Sequence, residues 1–170
     1  EFVTESSEAL VGELNQAYAR DGFASQYTSQ MRAWSESIPD LQAQLSSLVV
    51  RLPDSGAWRV LLELPLYRLR RRIDLLILTE HTVVVLELKV GADRFTPADE
   101  RQVEEYSLDL RDFHSESADL SIVPCLLCTG APAQLTYPKL VRGVAPVHRL
   151  GDSDLAGFLE RLRDGEGALG

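Results

Sequence analysis

Two short apolar runs in close succession constrain this chain more than any other feature. Arg70-Arg71-Arg72-Ile73-Asp74-Leu75-Leu76-Ile77-Leu78 is followed, after a three-residue gap, by Thr82-Val83-Val84-Val85-Leu86-Glu87-Leu88-Lys89-Val90. Runs of this length, rich in Val, Ile and Leu and joined by a tight polar connection, predict two neighbouring antiparallel strands. Each run carries ionisable groups where the pattern calls for apolar ones. A carboxylate inside a buried strand is costly unless something pairs with it, so Asp74 and Glu87 are the residues that need a reason.

Strand alternation places Glu87 and Lys89 on one face, about 6.6 Å apart at Cα for a rise of about 3.3 Å per residue. Leu86, Leu88 and Val90 then face the other way, into the core. A short hairpin brings Asp74 alongside Glu87. Two adjacent carboxylates repel unless a proton or a cation lies between them, and a divalent ion is the usual solution.

Asp74 followed by Glu87-Leu88-Lys89 inside a hydrophobic strand resembles the PD-(D/E)XK superfamily of metal-dependent nucleases, the restriction-endonuclease-like fold. Downstream, Gln102-Val103-Glu104-Glu105-Tyr106 is similar to the Q-x-x-x-Y helix motif of the RecB-like branch. The run Glu87-Leu88-Lys89-Val90-Gly91, then Gln102, Tyr106, Asp109-Leu110 and Phe113-His114, resembles the nuclease-like N-terminal segment of bacterial proteins that continue into a superfamily 1 helicase-type ATPase. The likeness spans residues 50 to 130, and the ordered set in its strand and helix context carries it.

The resemblance implies an α/β fold with a mixed central sheet flanked by helices: a restriction-endonuclease-like core in the order αβββαβ behind an N-terminal helical extension. It implies Mg²⁺ or Mn²⁺ held by Asp74, Glu87 and the backbone carbonyl of Leu88, with Glu63 as a candidate further donor. Lys89 is expected to position or deprotonate the attacking water and to offset charge on the phosphorane. Gln102 is expected to hydrogen-bond a phosphate or that water, and Tyr106 to contact a nucleic-acid backbone. The implied reaction is phosphodiester hydrolysis leaving 5′-phosphate and 3′-hydroxyl ends, with DNA favoured over RNA. An attached helicase-type ATPase is the implied partner, and phage defence or DNA repair the associated setting.

The residues leave competing readings open. Arg68, Arg70, Arg71 and Arg72 are the densest basic cluster, and a regular strand puts Arg68, Arg70 and Arg72 on the face of Asp74. They either bind nucleic acid or form a solvated edge-strand charge run. Glu63 either assists a metal, or reaches solvent or an arginine from an edge strand. The whole constellation is read as a nuclease site, as a non-catalytic module that binds nucleic acid or docks a helicase, or as an ion-pair cluster that binds nothing.

Length and charge set the bounds. A chain of 170 residues fits one domain, divided into an N-terminal helical segment (residues 1–51), a nuclease-like core (residues 52–130) and a C-terminal strand and helix (residues 131–170). The Glu1-Phe2 start and the Gly165-Glu166-Gly167 end suggest a piece of a longer protein. A net charge of −9 argues against DNA binding by the overall field, though local charge at a site is what matters. No apolar run reaches the length of a membrane span and no basic-then-apolar leader opens the sequence, so a cytoplasmic location is expected. Cys125 and Cys128, three apart in a strand, fall on opposite faces and are expected to be free core thiols.

Along the rest of the chain, helices are expected over 6–20, capped by Ser6 or Ser7 and closed by Asp21-Gly22, then near 24–36, and then from Pro39 onward. Trp58–Leu64 reads as the first strand, broken by Pro65. Thr96, Pro97 and Asp99 spell a capping box for a helix reaching Phe113, with Val103, Leu110 and Phe113 as its packing face. His114 at its end is expected to serve the helix dipole. Ser121–Cys128 reads as a buried strand and 141–147 as a short strand interrupted by Pro146. Asp152 is expected to cap a last helix with Leu155, Phe158, Leu159 and Leu162 on one side.

Overall fold

The computed structural model describes residues 1–21, 27–115 and 120–166. Its centre is an open, mixed six-stranded sheet. Strands β1 (Arg59–Leu66), β2 (Arg71–Leu78) and β3 (Thr82–Lys89) form an antiparallel meander. Helix α3 (Pro97–Phe113) then crosses over to β4 (Ser121–Cys128), which runs parallel to β3. Two short strands, β5 (Gly143–Val144) and β6 (His148–Leu150), pair parallel with successive stretches of β4.

Both faces of the sheet are covered, so both sets of alternating side chains are apolar. Helices α1 (Ser7–Asp21), α2 (Tyr27–Arg51) and α4 (Leu155–Glu166) pack Leu14, Trp34, Ile38, Leu48 and Phe158 against Leu75, Ile77, Val84, Leu86 and Cys125. On the other face, α3 packs Val103, Tyr106 and Leu110 against Ile73, Leu76, Val83, Val85, Leu126 and Cys128. The two thiols are buried, unbonded and on opposite faces, as their spacing predicts.

Several elements differ from expectation. α2 is one continuous helix through Pro39 rather than two, and whatever precedes Tyr27 in the expected 24–36 helix lies outside the described residues, as does Gly22. A proline inside a helix costs about 3 kcal/mol. The stripe Met31, Trp34, Ile38, Leu41, Leu45 and Leu48 is buried on both sides of it. Each such side chain contributes about 1.5–3 kcal/mol on burial, so packing outweighs the break. Pro65 likewise lies inside β1, which runs to Leu66; β1 is an edge strand, where proline is tolerated. Val90, beyond the end of β3, and Phe113, in the last turn of α3, are 36% and 59% exposed rather than core.

The stretch 141–147 contains only the two-residue β5, and a separate β6 begins at His148, past Pro146. Asp154, not Asp152, precedes α4; its carboxylate accepts from the N–H groups of Gly151 and Gln134. The Thr96 cap is as expected: its hydroxyl oxygen accepts from the Asp99 N–H, and Ser6 receives the Ala9 N–H in the same way at α1.

β1 and β2 share one irregular rung. Register pairs Leu62 with Leu75 and Leu64 with Ile73, which leaves Glu63 and Asp74 between them. Glu63 has φ of 54°, a left-handed conformation that is uncommon outside glycine. Val60 and Leu62 face the α2 side, whereas Leu64 and Leu66 face α3; on β2, Ile77 and Leu75 face α2 and Ile73 faces α3. Both strands therefore exchange faces at this rung, and both exchange them at a carboxylate.

Candidate active site

A cleft of about 500 Å³ opens over this rung, and Asp74, Glu87, Lys89 and Gln102 line it together. Asp74 comes from β2, Glu87 and Lys89 from β3, and Gln102 from α3. The Asp74 carboxylate accepts from the Leu88 backbone N–H at 2.8 Å and from the Gln30 amide at 3.3 Å. Glu87 Oε1 receives the Lys89 ammonium at 3.0 Å and the Gln102 amide at 2.7 Å. Its other oxygen, Oε2, is buried and has no hydrogen-bond partner among the described residues.

Lys89 Nζ also donates to Asp99 Oδ1 at 3.1 Å and to Gln102 Oε1 at 3.2 Å. Gln102 completes the chain by donating to the Tyr106 hydroxyl at 2.8 Å. The predicted helical neighbours, four residues apart, thus act on the site as one unit.

Burial pushes the Asp74 carboxyl well above the usual range, and the nearby Glu87 charge adds to the effect. Burial raises Glu87 as well, against the pull of Lys89. At Lys89 burial favours the neutral amine, but the Glu87 charge and the hydrogen bonds to Glu87 and Asp99 outweigh it, and the ammonium is held above its ordinary value. The site therefore keeps a firm cation at Lys89 beside two carboxylates short of positive charge.

The remaining candidates fall into three groups. Arg70 and Arg72 line the cleft, and so does Arg71, which the site expectation omitted. Arg68 does not: it lies in the β1–β2 turn, paired with the buried Asp109 at 2.7 Å and stacked 4.0 Å from the Phe113 ring. Arg68 and Arg70 belong to a turn rather than to a strand, so the expectation of a single-faced arginine row fails.

Glu63 does not reach solvent, as one reading of it expected. It is 4% exposed, and its carboxylate is filled by donors: Tyr18 Oη at 2.7 Å, Gln30 Nε2 at 3.0 Å and Trp34 Nε1. Arg72 donates to its backbone carbonyl at 3.3 Å. Through these three donors the carboxylate anchors α1 and α2 to the edge strand. Tyr106 is 2% exposed, its ring set in the core under α3, so what it offers the cleft is limited to its hydroxyl edge.

Sequence reasoning missed Gln30, Asp99 and Arg71. Gln30 joins Asp74 to Glu63 from a helix 44 residues earlier, a contact no local pattern encodes. Asp99 was legible as the capping partner of Thr96, yet its second oxygen holds Lys89. Arg71 was counted in the basic run, but regular strand alternation left it off the face of Asp74.

Among the described residues no cluster of three or more His, Cys, Asp or Glu side chains is arranged to hold a metal. The donors facing the cleft are two carboxylates, with Leu88 between Glu87 and Lys89 in the chain. No helix among the described residues is long and apolar enough to cross a membrane. Comparison of the chain with protein-family models, curated proteins and solved structures finds no match.

Proposed function

We propose that this chain is a divalent-metal-dependent nuclease domain with a restriction-endonuclease-like core, acting on nucleic-acid phosphodiester bonds, DNA first. One observation carries the reading: two buried carboxylates converge on a cleft, and one oxygen of Glu87 is buried without a partner beside Lys89. An ion pair that bound nothing has no use for such an oxygen, because an unsatisfied buried acceptor costs about 1–3 kcal/mol. A hard divalent cation takes carboxylate oxygens by preference, so the donor set fits Mg²⁺ or Mn²⁺.

Asp74 and Glu87 are the side chains to hold that cation, with the Leu88 carbonyl as the main-chain candidate. When bound, it supplies Lewis-acid stabilisation of charge on the phosphate and a more acidic water. Lys89, held as an ammonium with its three donors on Glu87, Asp99 and Gln102, offsets the charge that grows on the phosphate; this favours an electrostatic role over proton removal. Gln102 fixes Lys89 and Glu87 relative to each other. Arg70, Arg71 and Arg72 supply local positive charge to a chain whose net charge is −9. Hydrolysis leaving 5′-phosphate and 3′-hydroxyl ends belongs to this proposal, as does a helicase-type partner in a longer chain.

The test is cleavage of labelled single-stranded, double-stranded and forked DNA, and of RNA, in Mn²⁺ with and without EDTA. Metal-dependent cutting that Lys89→Met loses by a factor of about 100 or more supports the reading. No cutting of any substrate, with nucleic-acid binding intact, favours a non-catalytic module of the same fold.

A further inference from the structure

The β1–β2 turn carries an exposed aromatic ring that neither the core nor the catalytic constellation uses. Tyr67, its first residue, is 87% exposed, the largest exposure of any aromatic side chain described. It is followed by Arg68, and then by Arg70, Arg71 and Arg72, four arginines within five residues in a chain of net charge −9.

The turn is held rigidly from three sides. Leu69 packs into the α3-side core. Arg68 is tied to the buried Asp109 at 2.7 Å and lies over Phe113. The Arg70 N–H donates to the Tyr67 carbonyl at 3.3 Å, and Arg70 itself adopts φ of 51°, an uncommon conformation for a residue with a side chain. A turn fixed in this way presents the Tyr67 ring to solvent with little ordering left to do. Arg70 and Arg71 lead from it directly into the cleft. From Arg71 to Asp74 is three residues of β2, about 10 Å at about 3.3 Å per residue.

We infer that Tyr67 is a base-stacking platform for single-stranded nucleic acid at the mouth of the cleft, with Arg70 and Arg71 holding the phosphates between it and Asp74. This rests on the nuclease reading of the cleft and adds its substrate class. An exposed aromatic next to a basic track is the arrangement that binds unpaired strands, since every base offers a π-face once it is out of a duplex. In a duplex the same faces are covered by stacking and pairing, so the ring has nothing to meet. Charge decides against a protein partner of ordinary composition: the turn is the local reversal of an acidic surface, and the polymer it complements is polyanionic.

The experiment measures binding in EDTA, where nothing is cut, by fluorescence anisotropy with a labelled oligothymidylate, an abasic strand of equal length and a hairpin duplex. Wild type is expected to bind oligothymidylate at least about tenfold more tightly than the duplex or the abasic strand. Tyr67→Ala is expected to lose about 5- to 100-fold on oligothymidylate, with little change on the abasic strand, and Tyr67→Phe to retain affinity. Arg70→Ala is expected to weaken all three and to lower the salt slope by about one. Melting curves confirm that the exposed Tyr67→Ala site leaves the fold intact. Unchanged affinity in Tyr67→Ala, equal loss in Tyr67→Phe, or a preference for duplex overturns the inference. Metal-dependent cutting by a Tyr67→Ala protein of wild-type affinity overturns it alone and leaves the nuclease reading standing. The binding pattern above without cutting in any metal does the reverse.

Discussion

Glu63 and Asp74 occupy the same rung of the β1–β2 ladder, and a single side chain, Gln30, donates to both, at 3.0 Å and 3.3 Å. The two carboxylates have opposite environments. Glu63 accepts from Tyr18, Trp34 and Gln30, whereas Asp74 accepts from the Leu88 N–H and, at the longer distance, from the same Gln30 nitrogen. One is an anchor and the other is left able to bind.

That division has a direct consequence. Glu63→Gln turns an amide nitrogen toward a ring of donors, and is expected to cost about 1–3 kcal/mol. In a chain of this size that lowers Tm by about 2–12 °C. Manganese affinity should change much less than stability does. A calorimetric titration beside a thermal melt checks this, and a large loss of affinity at unchanged Tm contradicts the anchoring role.

Asp74→Asn is expected to stabilise the metal-free protein. The folded-state carboxyl lies above its unfolded value, through burial and then the Glu87 charge, so the fold prefers it uncharged. Stability from this group is complete below the unfolded pKa of about 3.9 and is lost as pH rises through the raised folded value. At neutral pH in EDTA, Asp74→Asn should therefore raise Tm by a few degrees, about 2–4 °C for each kcal/mol gained. A fall in Tm contradicts this reading of the carboxyl.

His148 gives the opposite pH dependence, away from the cleft. Its Nε2 accepts the Lys139 N–H at 3.0 Å and its ring lies 5.3 Å from Phe158. Burial lowers its pKa below the usual 6.5, so protons favour the unfolded chain. Stability from this residue is present above the unfolded pKa and lost as pH falls below it, at up to about 1.4 kcal/mol per pH unit. Denaturant melts of wild type and His148→Gln between pH 7.5 and 5, values chosen to bracket about 6.5, should converge toward the acid end.

Pro39→Ala is expected to stabilise. Pro39 is exposed, lies inside α2 and cannot donate to the Ser35 carbonyl. Restoring the N–H removes a penalty of about 3 kcal/mol at most. A rise of several degrees in Tm supports a helix that gains from the restored N–H, and a loss indicates that the proline ring itself is needed there.

The same residues show what a sequence can express. The β2–β3 hairpin was legible because its apolar runs are short and end in polar residues, and Asp74, Glu87 and Lys89 stood out against them. The Thr96 cap and the Gln102–Tyr106 pair were legible because four-residue helical spacing is local. Pro39 and Pro65 misled for one reason: proline's cost is local, whereas the α2 stripe and the edge position of β1 that offset it are set by tertiary packing. The Gln30 contact with Glu63 depends on a helix packed against a strand more than thirty positions away in sequence. The twisted rung depends on a backbone angle at Glu63 that no residue type announces.

In the proposed nuclease, the buried Asp74–Glu87 pair takes a divalent cation. The most direct measurement is a calorimetric titration of Mn²⁺ into wild type, Asp74→Asn and Glu87→Gln at neutral pH. One saturable site is predicted in wild type, and either substitution is predicted to weaken it by about tenfold or more, with both variants still folded. Equal Mn²⁺ binding by all three proteins, or none by wild type, contradicts the claim.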